Sequence, residues 1–311
     1  MKPMIVAKSA PIEQNILVKE DIGCDGIEIQ LLEDFIVNPN VDEYTEILSK
    51  HNIIAIHAPL TDIDSGSDST VNIEELIADS VYISNNVCFI AENVGRKLGH
   101  IVSVIFHCEH TYEQLLTLGL YDEIANYIYH MLKICPNIQI LIENVTPISY
   151  IGEGKVTLTN NFLFDNIELV KHLDESASDD IRDRIGTVFD TCHAQMGMEF
   201  LNILKSHFAN EITVPTYNIE DYYIKNRKYC KLIHLARKDG HGLTEKTHGQ
   251  PFNNDDMDII KIQLDNYAKY NYDCPIVLEV RERNYLECNG YLTSKRLIDK
   301  YYNNYGGDKN E

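Results

Sequence analysis

Short apolar runs alternate with longer helical stretches along this chain. Strand-like runs fall at residues 4–7, 26–30, 53–57, 101–107, 138–143, 186–190, 232–235 and 275–279. Between them, apolar residues recur every three to four positions, the spacing of one helix face. This spacing predicts helices over 12–22, 41–50, 73–98, 112–134, 162–173, 196–208, 255–270 and 294–302. The longest puts Ile77, Val81, Val87, Ile90, Ala91 and Val94 in register, and Gly99 stops it as a C-terminal glycine should. The strand runs are almost continuously apolar, as in a parallel sheet buried on both faces. Eight strand–helix alternations predict one closed (β/α)8 barrel over 1–303 rather than an open doubly wound sheet. Residues 304–311 read as a disordered tail. Segments 61–70 and 146–159 read as long loops, and the tyrosine-rich stretch after 208 as an irregular link.

Composition narrows the chemistry. At 44% apolar, 311 residues can bury a large core. The net charge of −21 repels nucleic acid and anionic membrane at long range, though bound metal ions can reverse the field locally. Eight cysteines show no Cys-x-x-Cys spacing, and several lie inside apolar runs. They read as reduced thiols in a cytoplasmic protein. The N-terminus lacks the shape of a signal peptide, and no apolar run approaches a membrane span. No Gly-x-Gly-x-x-Gly follows a strand and there is no Gly-Lys-Ser/Thr loop, so nothing supports dinucleotide or P-loop binding.

In a TIM barrel the chemistry sits at the carboxyl ends of the strands. Six runs here end in a ligand-type residue: His57, His107, Glu143, Asp190, His234 and Glu279. His193 follows three residues after Asp190, and Asp239-x-His241 lies in the loop after the seventh strand. A single histidine after a strand is usually a hydrogen-bonded loop residue. A carboxylate directly after an apolar run is costly to leave unpaired, which singles out Glu143 and Glu279. Nine such residues at one mouth predict a polynuclear metal site, and mixed imidazole and carboxylate ligands suit zinc, manganese or iron. Glu245-x-x-His248 is a second candidate for the loop ligands. His51, His100, His130, His172 and His207 fall on helices or helix ends and read as structural.

The series His-Ala-Pro (57–59), Phe-His (106–107), Ile-Glu-Asn (142–144), Phe-Asp-Thr-Cys-His-Ala (189–194), Ile-His-Leu (233–235), Asp-x-His (239–241) and Leu-Glu (278–279) resembles the endonuclease IV branch of the xylose isomerase-like TIM barrels. Asp-Thr-Cys-His is its most specific element. The resemblance implies a metal-dependent hydrolase that cleaves a phosphodiester with a metal-activated water. It implies two or three divalent ions, Zn2+ or else Mn2+, held by His57, His107, Glu143, Asp190, His193, His234, Asp239, His241 and Glu279. Glu143 would bridge two ions, and Glu143 and Glu279 would be the catalytic carboxylates. His110, Lys238 and His248 are the expected substrate contacts. The chain departs from the family in Phe-His-Cys-Glu-His110, in Asn144-Val145, and in a short gap between His234 and Asp239.

The expected substrate is abasic DNA or a small phosphorylated or sugar compound, and the acidic charge favours the small one. The alternative is a one-metal sugar isomerase or epimerase of the same superfamily. It would use Glu143, Asp190, His234 and Glu279, with the two glutamates as acid and base. A third reading is a catalytically idle barrel used as a scaffold. No protein partner is evident.

Overall fold

A computed structural model describes residues 2–59, 73, 78–150, 156–158, 163–208, 213–240, 243, 247–282 and 284–305. Eight parallel strands form a closed barrel: β1 (Ile5–Ser9), β2 (Gly26–Gln30), β3 (Ile53–His57), β4 (Val102–His107), β5 (Ile138–Glu143), β8 (Ile185–Asp190), β9 (Cys230–Leu235) and β10 (Ile276–Leu278). Their order around the barrel is β1-β10-β9-β8-β5-β4-β3-β2. A separate antiparallel pair, β6 (Ile148–Tyr150) and β7 (Val156–Leu158), lies within the segment expected to be a plain loop.

Helices cover the barrel: α1 (Glu13–Asp21), α2 (Glu33–Val37), α3 (Val41–Leu48), α4 (Ala78–Leu98), α5 (Tyr112–Leu118), α6 (Tyr121–Ile134), α7 (Asp165–Ser176), α8 (Asp179–Arg182), α9 (Thr191–Phe208), α10 (Ile219–Asn226), α11 (Met257–Lys269) and α12 (Asn289–Tyr305). None of the described helices is long and apolar enough to cross a membrane.

The strands are rich in Ile and Val because both of their faces are covered. On the outward face, Val104, Phe106, Ile140 and Ile142 pack against Ile90, Val94, Ile128 and Leu132 of the helices. Across the barrel, Ile233, Leu235, Ile276 and Leu278 pack against Tyr222, Tyr223, Ile260 and Ile298. Inside, Val6, Ala55, Ile105, Leu141, Val188, Leu232 and Val277 form one apolar layer, each from a different strand. Side chains alternate along a strand, so the residue two positions further on points inward one level higher.

Several helix boundaries differ from the pattern. The single helix expected over 112–134 is two, because Gly119 takes a left-handed φ of 73° and ends α5. The link after 208 contains α10, whose Asn218 caps it by accepting from the backbone N–H groups of Glu220 and Asp221. α9 starts five residues early, so His193 stands in its first turn. α12 reaches Tyr305 and starts at Asn289, where Glu282 accepts from the N–H groups of Gly290 and Tyr291. The loop expected at 61–70 and the end of the tail, 306–311, lie outside the described residues.

Candidate metal centre

Two residues above the apolar layer, every barrel strand contributes one inward polar side chain. Lys8, Glu28, His57, His107, Glu143, Asp190, His234 and Glu279 form this ring. Glu279 lies one residue past β10, and its N–H still donates to Leu235 O at 3.3 Å, which keeps it in strand register. Most of the ring is buried; Glu28, Asp190 and His234 are completely inaccessible. Two further histidines complete the cluster, His193 from α9 and His248 from the loop after β9.

The donor atoms fall into three groups, each within 4.8 Å: His57, His107 and Glu143; Glu143, Asp190, His234 and Glu279; and Asp190, His193 and His248. Glu143 belongs to two groups and so does Asp190. Glu143 Oε2 lies 3.2 Å from His57 Nε2 and 3.7 Å from His107 Nε2. Its Oε1 lies 3.3 Å from His234 Nδ1 and 3.4 Å from His193 Nδ1. The two oxygens therefore face different histidines.

Backbone contacts set the orientation. His57 Nδ1 donates to Ala58 O at 2.9 Å, which turns Nε2 toward Glu143 Oε2. His193 Nδ1 donates to Asn144 O at 2.8 Å. Asn144 also locks Asp190: its Oδ1 accepts from Asp190 N at 2.8 Å and its Nδ2 donates to Asp190 O at 3.0 Å.

The site fits divalent cations on its own geometry. His107 Nε2, His234 Nδ1 and Glu279 Oε2 are buried polar atoms without a hydrogen-bond partner. Each belongs to one of the three donor groups. Such atoms are costly unless something occupies the space they face.

The protonation balance points the same way. Burial alone would raise Glu143, but the His234 charge and the close imidazoles of His107 and His193 hold it well below the carboxylate range. Glu279 is held low against burial by Lys8, His234 and His248. His193 would be lowered by burial, yet the Asp190 and Glu143 carboxylates push it up to about 10. His234 is raised in the same way by Glu143, Glu28 and Glu279. Without metal, protons take the positive charge that the carboxylates demand. Cys192, between Asp190 and His193, is pushed up by burial and by Asp190 and stays a thiol. It packs with Met196 and Ala236 and is not part of the cluster.

The loop after β9 folds back as a short ribbon. Arg237 pairs with Gln250, and Asp239 N donates to Thr247 O at 2.9 Å. This fold-back carries His248 to 3.2 Å from Asp190 Oδ2, stacked on His193 at 4.6 Å between ring centroids. Gly249 makes the turn with φ 75°, and a Cβ there would lie 3.0 Å from Arg281 Cγ. His248, expected as a substrate contact or second-choice loop ligand, thus sits in the third group.

Asp239 is placed elsewhere: its carboxylate is 62% exposed, 4.0 Å from the Arg237 guanidinium. His241 and Glu245 lie outside the described residues. Lys238 is paired with Glu199 and donates to Gly240 O at 2.7 Å. His110 is half-buried just past β4, and its carbonyl accepts from the Cys108 thiol at 3.4 Å.

The sequence matches no family model and no curated protein. Solved structures do match over almost the whole chain. SacUVDE superposes with a TM-score of 0.53 at 12% identity, covering 96% of this chain and 98% of its own. D-allulose 3-epimerase from Methylomonas sp., in complex with D-allulose, gives 0.55 at 12%, covering 97% and 98%. A xylose isomerase domain protein from Planctomyces limnophilus gives 0.53 at 12%, covering 98% and 97%. What the chain shares with these proteins is the (β/α)8 barrel fold.

Two ring members of this barrel escaped the sequence reading: Lys8 and Glu28. They stand opposite each other in register on β1 and β2. Lys8 follows the apolar run 4–7 but an ammonium is not a metal-ligand type, and Glu28 interrupts its run instead of ending it, so the strand-end signal passed over both. The usable signal was position: each lies on the inward-facing side of its strand, level with the other six.

Proposed function

We propose that this chain is a divalent-metal-dependent hydrolase that cleaves a phosphoester with a metal-activated water. The observation that carries the reading is the sharing of Glu143 and Asp190 among three contiguous donor groups. A one-metal enzyme leaves His57, His107, His193 and His248 without a task. When bound, the ions supply Lewis acidity to a phosphoryl oxygen and lower the pKa of water.

The chain's own residues do the rest. Glu143, with Oε2 beside His57 and Oε1 beside His234, would help to hold the ions. Asp190 is fixed by Asn144, and its Oδ2 faces His248 and His234. Four ring carboxylates, Glu28, Glu143, Asp190 and Glu279, stand against one ammonium, Lys8. One divalent ion would leave that mouth anionic and repel a phosphate. Two or three reverse its sign and attract one. With −21 on the whole chain, we assign a small phosphorylated substrate in preference to abasic DNA.

The test is metal analysis of protein purified without chelator, together with hydrolysis of bis-p-nitrophenyl phosphate in added Zn2+ or Mn2+. Two or three ions per chain and a chelator-sensitive rate support the reading. One ion per chain and no hydrolysis overturn it. That result would favour an isomerase or epimerase using Glu143, Asp190, His234 and Glu279, which by themselves form a complete four-residue group.

A further inference from the structure

Lys8 and Glu28 are the two ring residues that none of the three donor groups uses. They lie side by side, and both are tied to the central group. Glu28 Oε2 is 2.9 Å from His234 Nε2. A carboxylate only accepts, so His234 carries a proton on Nε2. Its Nδ1 then turns toward the centre, 3.1 Å from Glu279 Oε2 and 3.3 Å from Glu143 Oε1. On the other side, Lys8 Nζ donates to Glu279 Oε1 and lies 3.2 Å from Glu28 Oε1. With Oε1 engaged, Glu279 is left with Oε2 facing inward, and that atom has no hydrogen-bond partner. One ion pair thus determines which atom of His234 and which atom of Glu279 faces the central group.

We propose that Lys8 and Glu28 are positioning residues for the central cation site, presetting His234 Nδ1 and Glu279 Oε2 as its ligand atoms. The proposal rests on reading the donor groups as cation sites. Three features support it. Glu28 is fully buried with its charge, a costly placement unless its partners need it. A carboxylate behind a ligand histidine fixes the tautomer and raises the basicity of the ligand nitrogen. Lys8 adds the one permanent cation of the ring, so Glu279 is held without a metal present.

The experiment is competitive titration of metal-free protein with Zn2+ against a chromogenic chelator. Wild type is compared with Glu28→Gln and Lys8→Met, and melting temperature is followed in parallel. The expected result is that one site per chain weakens about 10- to 100-fold in each variant while the remaining sites keep their affinity. Glu28→Asp and Lys8→Arg, which keep the charges, should recover part of the loss. They also serve if the first pair does not fold.

If wild type binds two or more ions and the variants bind them equally well, the positioning role is wrong and the polynuclear reading survives. A drop in metal-free melting temperature with unchanged Zn2+ affinity likewise reduces the pair to a structural ion pair. If wild type binds one ion and the variants weaken it, the positioning role stands and the polynuclear reading fails. If wild type binds none, both fail.

Discussion

Two layers of the same barrel interior, two residues apart along each strand, are chemical opposites. The lower holds Val6, Ala55, Ile105, Leu141, Val188, Leu232 and Val277. The upper holds Lys8, Glu28, His57, His107, Glu143, Asp190, His234 and Glu279. A step of about 6.6 Å along a strand takes the interior from hydrocarbon to a dense charge cluster. The lower layer is a plug that excludes water from below. The upper layer is tolerable there because its charges face one another and share protons. In the proposed function, cations take the place of those protons. Stability and chemistry are thus stacked on the same strands and should separate under mutation.

The largest expected effect is in the upper layer. Glu143→Gln removes the charge that two donor groups share, and phosphoester hydrolysis should fall by about 10^3-fold or more, roughly 4 kcal/mol in the barrier. Zn2+ bound per chain should fall with it, while the circular dichroism spectrum stays that of wild type. Unchanged metal content would break the division between the layers.

Next is the residue directly below. Leu141→Ala opens a cavity in a fully buried layer and should cost about 2–5 kcal/mol of unfolding free energy. Zn2+ per folded chain should stay at the wild-type value. Loss of metal at temperatures where the variant is still folded would show that the plug also shapes the site.

The smallest effect sharpens the rule that buried carboxylates here need a positive partner. Asp165 at the start of α7 has no ion-pair partner among the described residues. Burial pushes it up to about 6 from 3.8, and Glu113 and Glu168 add to the shift. A carboxyl whose folded pKa is raised stabilises fully below its unfolded pKa, and that contribution disappears as pH rises through about 6. Asp165→Asn should therefore gain roughly 1 kcal/mol over wild type at pH 7.5, after allowance for its partial exposure. The gain should vanish at pH 3.5. An equal gain at both pH values would mean that the charge is not the cause.

Much of this was legible without coordinates. The strands were visible because a parallel barrel covers both of their faces and writes continuous apolar runs. Six of the eight ring residues were visible because each ends such a run. Helix breaks were harder to read. Gly119 stops α5 through a left-handed turn, and α10 sits inside a stretch whose tyrosines obscure the period. The loop after β9 was hardest. Asp239, His241, Glu245 and His248 are all ligand-type residues within ten positions, and nothing in their spacing ranks them. The pairing of Arg237 with Gln250 turns His248 inward and leaves Asp239 in solvent.

The sequence by itself determined the barrel and the polar character of its mouth, because burial on two faces and alternation along a strand are properties of each strand alone. Tertiary structure decided how those polar residues divide into groups. Which oxygen of Glu143 meets which histidine, that His248 reaches Asp190, and that Lys8 and Glu28 stand behind Glu279 and His234 all depend on register and barrel closure. These contacts join residues up to 271 positions apart, and no local pattern encodes a distance of that kind.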